Sequence, residues 1–231
     1  MTTTTNQTIN IKPNHFGSMR GSHQITKKDG SIYTVRDNRS RFLYPDEWIA
    51  FYSRLKKSQE PTFKGLIGTG ARINELRHVK VNDIDFERGN IVLRVTKRVV
   101  NNPRTQKHGI AKIRVLTIST EFAKYLKKIV IEYQLQPFQE LPILTDNAAN
   151  VCLKKTLKEI GVKDYDMISV HNIRKTLETW LLAIGVDTFK VVKHFGHSPA
   201  VALKHYVSGD IFNSEDKAQI REIIGDLFAK N

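Results

Sequence analysis

Five stretches of this 231-residue chain hold side chains able to grip an anion, move a proton or attack as a nucleophile. The first is Gly68-Thr69-Gly70-Ala71-Arg72-Ile73-Asn74-Glu75-Leu76. Glycines ahead of a helix let the backbone turn sharply and leave first-turn side chains open, so Arg72 projects from such a start. Glu75 follows three residues on, within reach to steady that guanidinium. The second is His171-Asn172-Ile173-Arg174, whose spacing sets an imidazole and a guanidinium on one helix face. The third, Phe195-Gly196-His197-Ser198, reads as a helix break carrying a histidine. The fourth is Tyr206, nine residues after His197. The fifth is a basic run of Lys97, Arg98, Arg104, Lys107, Lys112 and Arg114.

Each has an ordinary explanation when taken singly. Arg72 fits a helix-start arginine with a local ion pair, and an H-x-x-R pair arises readily by chance at this His and Arg content. His197 fits a structural cap on its turn, and Tyr206 a packing aromatic late in a helix. The basic run fits a solvated loop as well as a finger reaching into a nucleic-acid groove, through which Arg98, Arg104, Lys107 and Lys112 would bind DNA.

The elements that must position these residues follow from periodicity. Residues 1–42 are polar and basic without a sustained period, an extended arm with a short hairpin around Lys28-Asp29-Gly30-Ser31. A body of residues 43–231 with regular periods follows. It opens on Tyr44-Pro45-Asp46-Glu47, proline and two acids in a first helical turn. A short helix spans 62–67 and another starts near Arg72. Ile91, Leu93 and Val95 then alternate with Val92 and Arg94, and Ile113, Val115 and Thr117 alternate again, giving a strand, a long basic loop and a return strand. Helical patterns cover 120–134, 148–160, 171–184, 187–194, 199–206 and 215–229. The expected fold class is α+β: mostly helical, with one small antiparallel sheet.

Composition narrows the partners. A formal net charge of +14 points to a polyanion, because Lys and Arg gain affinity by displacing counterions from phosphates. The lone Cys152 excludes an intramolecular disulfide and a cysteine zinc cluster, and its apolar surroundings suit a small core residue. No apolar run approaches membrane-spanning length. A cytoplasmic protein working beside DNA fits this pattern.

In order and spacing the set resembles the tyrosine recombinase (phage integrase) family. Thr69-Gly70-Ala71-Arg72-Ile73-Asn74-Glu75-Leu76 stands for the family's T-G-x-R-x-x-E-L box, His171–Arg174 for its H-x-x-R, and Gly196-His197-Ser198 for its L-G-H-S. Tyr206 falls at the family's distance, and the resemblance covers about residues 43–212. It implies a tyrosine-recombinase-like catalytic domain with Arg72, His171, Arg174, His197 and Tyr206 as the catalytic set. Lys97, directly after the first strand, is the best match to the family's hairpin lysine, with Lys107 second. Lys175 follows Arg174 where many relatives have histidine. Relatives also carry a helical DNA clamp of about a hundred residues ahead of this domain, more than the arm here can form.

The resemblance implies site-specific cutting and rejoining of double-stranded DNA through a 3′-phosphotyrosine, with no metal, ATP or other cofactor. Two planar guanidiniums, Arg72 and Arg174, suit the non-bridging oxygens of a phosphodiester under attack. A phenol with a pKa near 10 attacks well only with a base, for which His171 is the candidate. His197 would donate to the phosphate, and Lys97 would protonate the departing 5′ oxygen. The helix at 215–229 fits either a tail folded on its own domain or one donated to a neighbouring protomer, linking a dimer or tetramer on DNA. A fragment of a split integrase, a type IB topoisomerase-like enzyme and a DNA-binding regulator on the same scaffold are the alternatives.

Overall fold

The structure, a computed structural model, describes residues 41–95, 112–162, 164–196 and 212–228, together with two strands near the N-terminus. Those strands, β1 (Ser22–Thr26) and β2 (Ile32–Arg36), pair antiparallel from Ser22↔Arg36 to Thr26↔Ile32, while the expected Lys28–Ser31 turn lies outside the described residues.

The packed body begins at Arg41, before the apolar pattern marks it. Arg41 is 1 % exposed, and its guanidinium pairs with Glu47 at 3.0 Å and Asp164 at 2.8 Å. A charge so deeply buried persists only because both carboxylates face it. Phe42 and Leu43 bury beside it. Helix α1 (Pro45–Tyr52) starts as its sequence dictates: proline in the first turn, and a Glu47 carboxylate accepting the Tyr44 N–H at 3.0 Å. Helix α2 (Glu60–Thr69) is longer than the 62–67 pattern and ends at Gly70, and α3 (Ile73–Arg77) follows directly.

Helices α4 (Thr120–Glu132) and α5 (Asp146–Glu159) are each opened by a hydroxyl that accepts a first-turn N–H: Ser119 from Phe122 and Thr145 from Ala148. Cys152 is buried on α5. The axis of the core is α6 (Val170–Ala183), where Ile173, Leu177, Trp180 and Leu181 are wholly buried. Each such side chain contributes roughly 1.5–3 kcal/mol. Trp180 also donates its indole N–H to the Leu43 carbonyl at 3.0 Å, tying the chain entry to α6. Helix α7 (Thr188–Phe195) then ends at Gly196.

A three-stranded antiparallel sheet lies beside these helices, in the order β3 (Ile84–Asp85), β4 (Asn90–Val95) and β5 (Lys112–Thr117). Strand β3 was too short to show as a period. In β5 the buried face is the reverse of what its apolar rhythm suggests. Ile113 and Val115 are 61 % and 63 % exposed, whereas Leu116 is buried and Arg114 is 10 % exposed. Register explains this, because directly opposed residues share a face. Ile91 and Leu93 are buried, and they pair with Leu116 and Arg114.

The last helix, α8 (Ser214–Ile224), is shorter than the 215–229 pattern. It stops because Gly225 turns off at φ 62°, and Asp226 is drawn away to accept the Thr120 N–H at the start of α4 at 2.6 Å. Ile220, Ile224 and Leu227 bury in this chain's own core, with α8 lying against α1 and α6. The 199–206 pattern falls outside the described residues.

Candidate active site

The turn from α2 to α3 is built to present Arg72. The Thr69 hydroxyl donates to the Gly65 carbonyl at 2.6 Å and accepts the Ala71 N–H at 3.1 Å, closing the end of α2. Gly70 adopts φ 61°, and a Cβ there would lie 2.5 Å from a Phe195 ring carbon, so this position demands glycine twice over. Arg72 then precedes α3 with half its side chain exposed. Glu75 accepts its backbone N–H at 3.1 Å through Oε2 and its guanidinium at 2.7 Å through Oε1.

Arg174 reaches the same place from α6. It is 2 % exposed and donates to the Gly70 carbonyl at 2.5 Å and to the Phe195 carbonyl, with its guanidinium carbon 4.9 Å from the Phe195 ring centre. Burial, then the charges of Arg114 and Arg72, pull its pKa from 12.5 to about 10, against the opposing pull of Glu75 and Glu178. His171 stands one turn earlier on α6 with its side chain exposed. The three-residue spacing keeps the two on neighbouring turns of α6, but Arg174 is buried while His171 is exposed.

A third arginine completes the cluster. Arg114 donates to Glu75 Oε2 at 2.6 Å and to the carbonyls of His194 and Phe195 at 3.0 and 2.8 Å. Glu75 is therefore shared by Arg72 and Arg114. Burial works to raise its pKa, yet the charge of Arg114, followed by the hydrogen bonds and charge of Arg72, holds it below the ordinary carboxylate value. From sequence Arg114 reads as the last charge of the exposed basic run. Only the strand register, which sets it opposite buried Leu93, shows that it turns inward.

His194, which no motif singled out, braces the back of the site. Its Nε2–H donates to the Thr69 carbonyl at 2.9 Å, and its ring meets Phe195 and Phe228 edge-on at 5.2 and 5.1 Å. Burial lowers its pKa from 6.5 to about 4. As pH falls below 6.5 the unfolded chain gains a proton there that the folded chain refuses until about 4, so stability drops through that window. The loss by pH 5 is about 2 kcal/mol. His194→Gln keeps an N–H for Thr69 and removes the titration. Melting curves at pH 7 and pH 5 should show the unsubstituted protein losing more stability than this variant, and equal losses would refute the assignment.

Lys112 begins β5. Lys97, Arg98, Arg104, Lys107, His197 and Tyr206 lie outside the described residues. Among the described residues no group of three or more His, Cys, Asp or Glu side chains comes together as a metal site, and no helix is long and apolar enough to cross a membrane.

Guanidiniums from two helices and a strand converge where a small sheet meets a mainly helical body. The crystal structure of XerA recombinase superposes with a TM-score of 0.55 at 17 % identity, covering 79 % of this chain and 64 % of that one. The Tn1549 transposon integrase in complex with transposon right end DNA gives 0.54 at 20 %, covering 78 % and 64 %. XerH site-specific recombinase bound to its palindromic difH substrate gives 0.54 at 16 %, covering 82 % and 53 %. The chain belongs to the phage integrase family, whose family model matches residues 41–210. It is 27 % identical over 164 residues to tyrosine recombinase XerA of Thermococcus kodakarensis, an alignment covering 68 % of this chain and 54 % of the relative. With XerA of Pyrococcus furiosus it shares 26 % over 140 residues, covering 58 % and 44 %. The chain thus spans about half the length of the curated relatives it matches.

Proposed function

We propose that this chain is a site-specific DNA recombinase, an integrase of a mobile element, that cleaves and rejoins strands through a 3′-phosphotyrosine on Tyr206. The observation that carries this reading is the convergence of Arg72, Arg114 and Arg174, in which Glu75 is shared by Arg72 and Arg114 and the Phe195 carbonyl by Arg114 and Arg174. Such a cluster is relieved by an anion, and a phosphodiester under attack gathers negative charge on its non-bridging oxygens. Arg72 and Arg174 hold those oxygens and His197 donates to one of them. His171 takes the phenolic proton as Tyr206 attacks, and Lys97 protonates the departing 5′ oxygen. The phosphotyrosine conserves the bond energy, so a 5′ hydroxyl can reverse the step without ATP or a metal ion.

Double-stranded DNA is the proposed partner, bound in part by Arg98, Arg104, Lys107 and Lys112. Relatives of this fold have been solved with DNA, among them the transposon integrase and XerH. Assembly of several protomers on DNA in the cytoplasm belongs to the same proposal. The test is a duplex recovered by binding selection and nicked beside the cut position, so that the freed fragment diffuses away. The protein should yield a denaturant-resistant adduct whose DNA maps to the peptide holding Tyr206. Binding with no adduct on any nicked duplex would sink the proposal and favour a DNA-binding regulator. A plasmid with two sites should give recombinant circles, and relaxation alone would indicate topoisomerase chemistry.

A further inference from the structure

We infer that Arg114 is a positioning residue for this reaction, aligning Arg72 and Arg174 without touching the phosphate. The inference rests on the recombinase reading above. Arg114 is 10 % exposed and its planar fork joins three elements. One nitrogen holds Glu75 Oε2 at 2.6 Å on α3, and another holds the His194 and Phe195 carbonyls at 3.0 and 2.8 Å on α7. Each of the other two arginines shares an anchor with it. Glu75 grips Arg72 through its second oxygen at 2.7 Å, and the Phe195 carbonyl also accepts from Arg174.

The strand carrying Arg114 has turned an arginine, rather than its own isoleucine and valine, toward the helices. Ile113 and Val115 face out at 61 % and 63 % exposure. The fold gives up burial of two apolar side chains on this strand to place one guanidinium. Space around the stem is reserved as well. Gly196 leaves α7 at φ 66°, and a Cβ there would lie 3.1 Å from Arg114 Cδ. Lysine cannot replace this fork, because one ammonium on a flexible stem does not hold a carboxylate and two carbonyls in fixed directions. Without the fork, Glu75 loses its nearest fixed charge and Arg72 is free to swing. Misplacement of a phosphate-holding group by about 1 Å costs on the order of 100-fold in rate.

Arg114→Lys and Arg114→Gln are tested with the full chain on the nicked duplex, reading single-turnover adduct rate, DNA affinity and melting temperature. Both variants are expected to melt cooperatively and to bind DNA within about threefold of the unsubstituted protein, with adduct formation slowed about 100-fold. A coupling measurement separates positioning from general damage. In a Glu75→Gln background the same Arg114→Lys change should cost about tenfold or less, because the shared anchor is already gone. Penalties that multiply independently, an unaltered rate in Arg114→Lys, or loss of the thermal transition in both variants would each overturn the inference. Absence of adduct from the unsubstituted protein would instead overturn the recombinase reading itself.

Discussion

Arg174→Lys is expected to slow adduct formation by about a thousandfold or more while DNA affinity falls less than about tenfold. The Arg174 stem issues from α6, whose Ile173, Leu177 and Trp180 are wholly buried, so the backbone cannot shift to help a shorter head group. The guanidinium spans two carbonyls, that of Gly70 at 2.5 Å and that of Phe195. An ammonium can satisfy one of these and presents no flat pair of donors to a phosphate. Burial and the charges of Arg114 and Arg72 already lower the Arg174 pKa to about 10. A lysine begins about two units lower than arginine, so the same environment drives it toward the neutral amine. The variant therefore loses geometry and charge together. DNA affinity, which comes chiefly from many phosphate contacts, should be largely retained. Time courses on the nicked duplex with parallel binding curves measure both quantities, and a loss of less than tenfold in rate would refute the role given to Arg174.

Tyr206→Phe is expected to abolish the covalent adduct altogether and to leave DNA affinity within about twofold, since only one oxygen is removed. Water could still cleave slowly, but it leaves no protein attached to the 3′ end. An adduct persisting in this variant, mapped to another peptide, would remove Tyr206 from the mechanism while leaving the arginine site intact. The two substitutions thus differ in kind: one removes the bond-forming atom, the other the field in which that atom reacts.

The helical frame was legible because its start signals are local. Proline and acids at Pro45–Glu47, Ser119 ahead of α4 and Thr145 ahead of α5 act within their own first turns. Motif order likewise marked Arg72, His171 and Arg174, and the structure brings Arg72 and Arg174 into one cluster, with His171 a turn away. What was illegible depends on contacts distant in sequence. Arg114 lies 39 residues from Glu75 and 80 from His194, and nothing in its neighbourhood announces that the apolar side of β5 faces outward. Arg41 was assigned to a polar arm because its carboxylates are 6 and 123 residues away. The end of α8 was misplaced because Asp226 answers to Thr120, on the other side of the domain's sequence.

Beside the Glu75 carboxylate and the Gly70 carbonyl, Arg114 and Arg174 are held by the last carbonyls of α7, that of Phe195 serving both. Aligned peptide dipoles give a helix C-terminus a partial negative charge of about half an electron. A carboxylate in that place would fix the guanidiniums equally well but would cancel a full unit of their charge. A helix end orients them at smaller cost to the outward field and cannot be protonated away in acid. Cations oriented in part by backbone dipoles, with Glu75 the carboxylate the cluster shares, form a pre-aligned environment, and little reorganisation is then required as charge builds on an incoming anion.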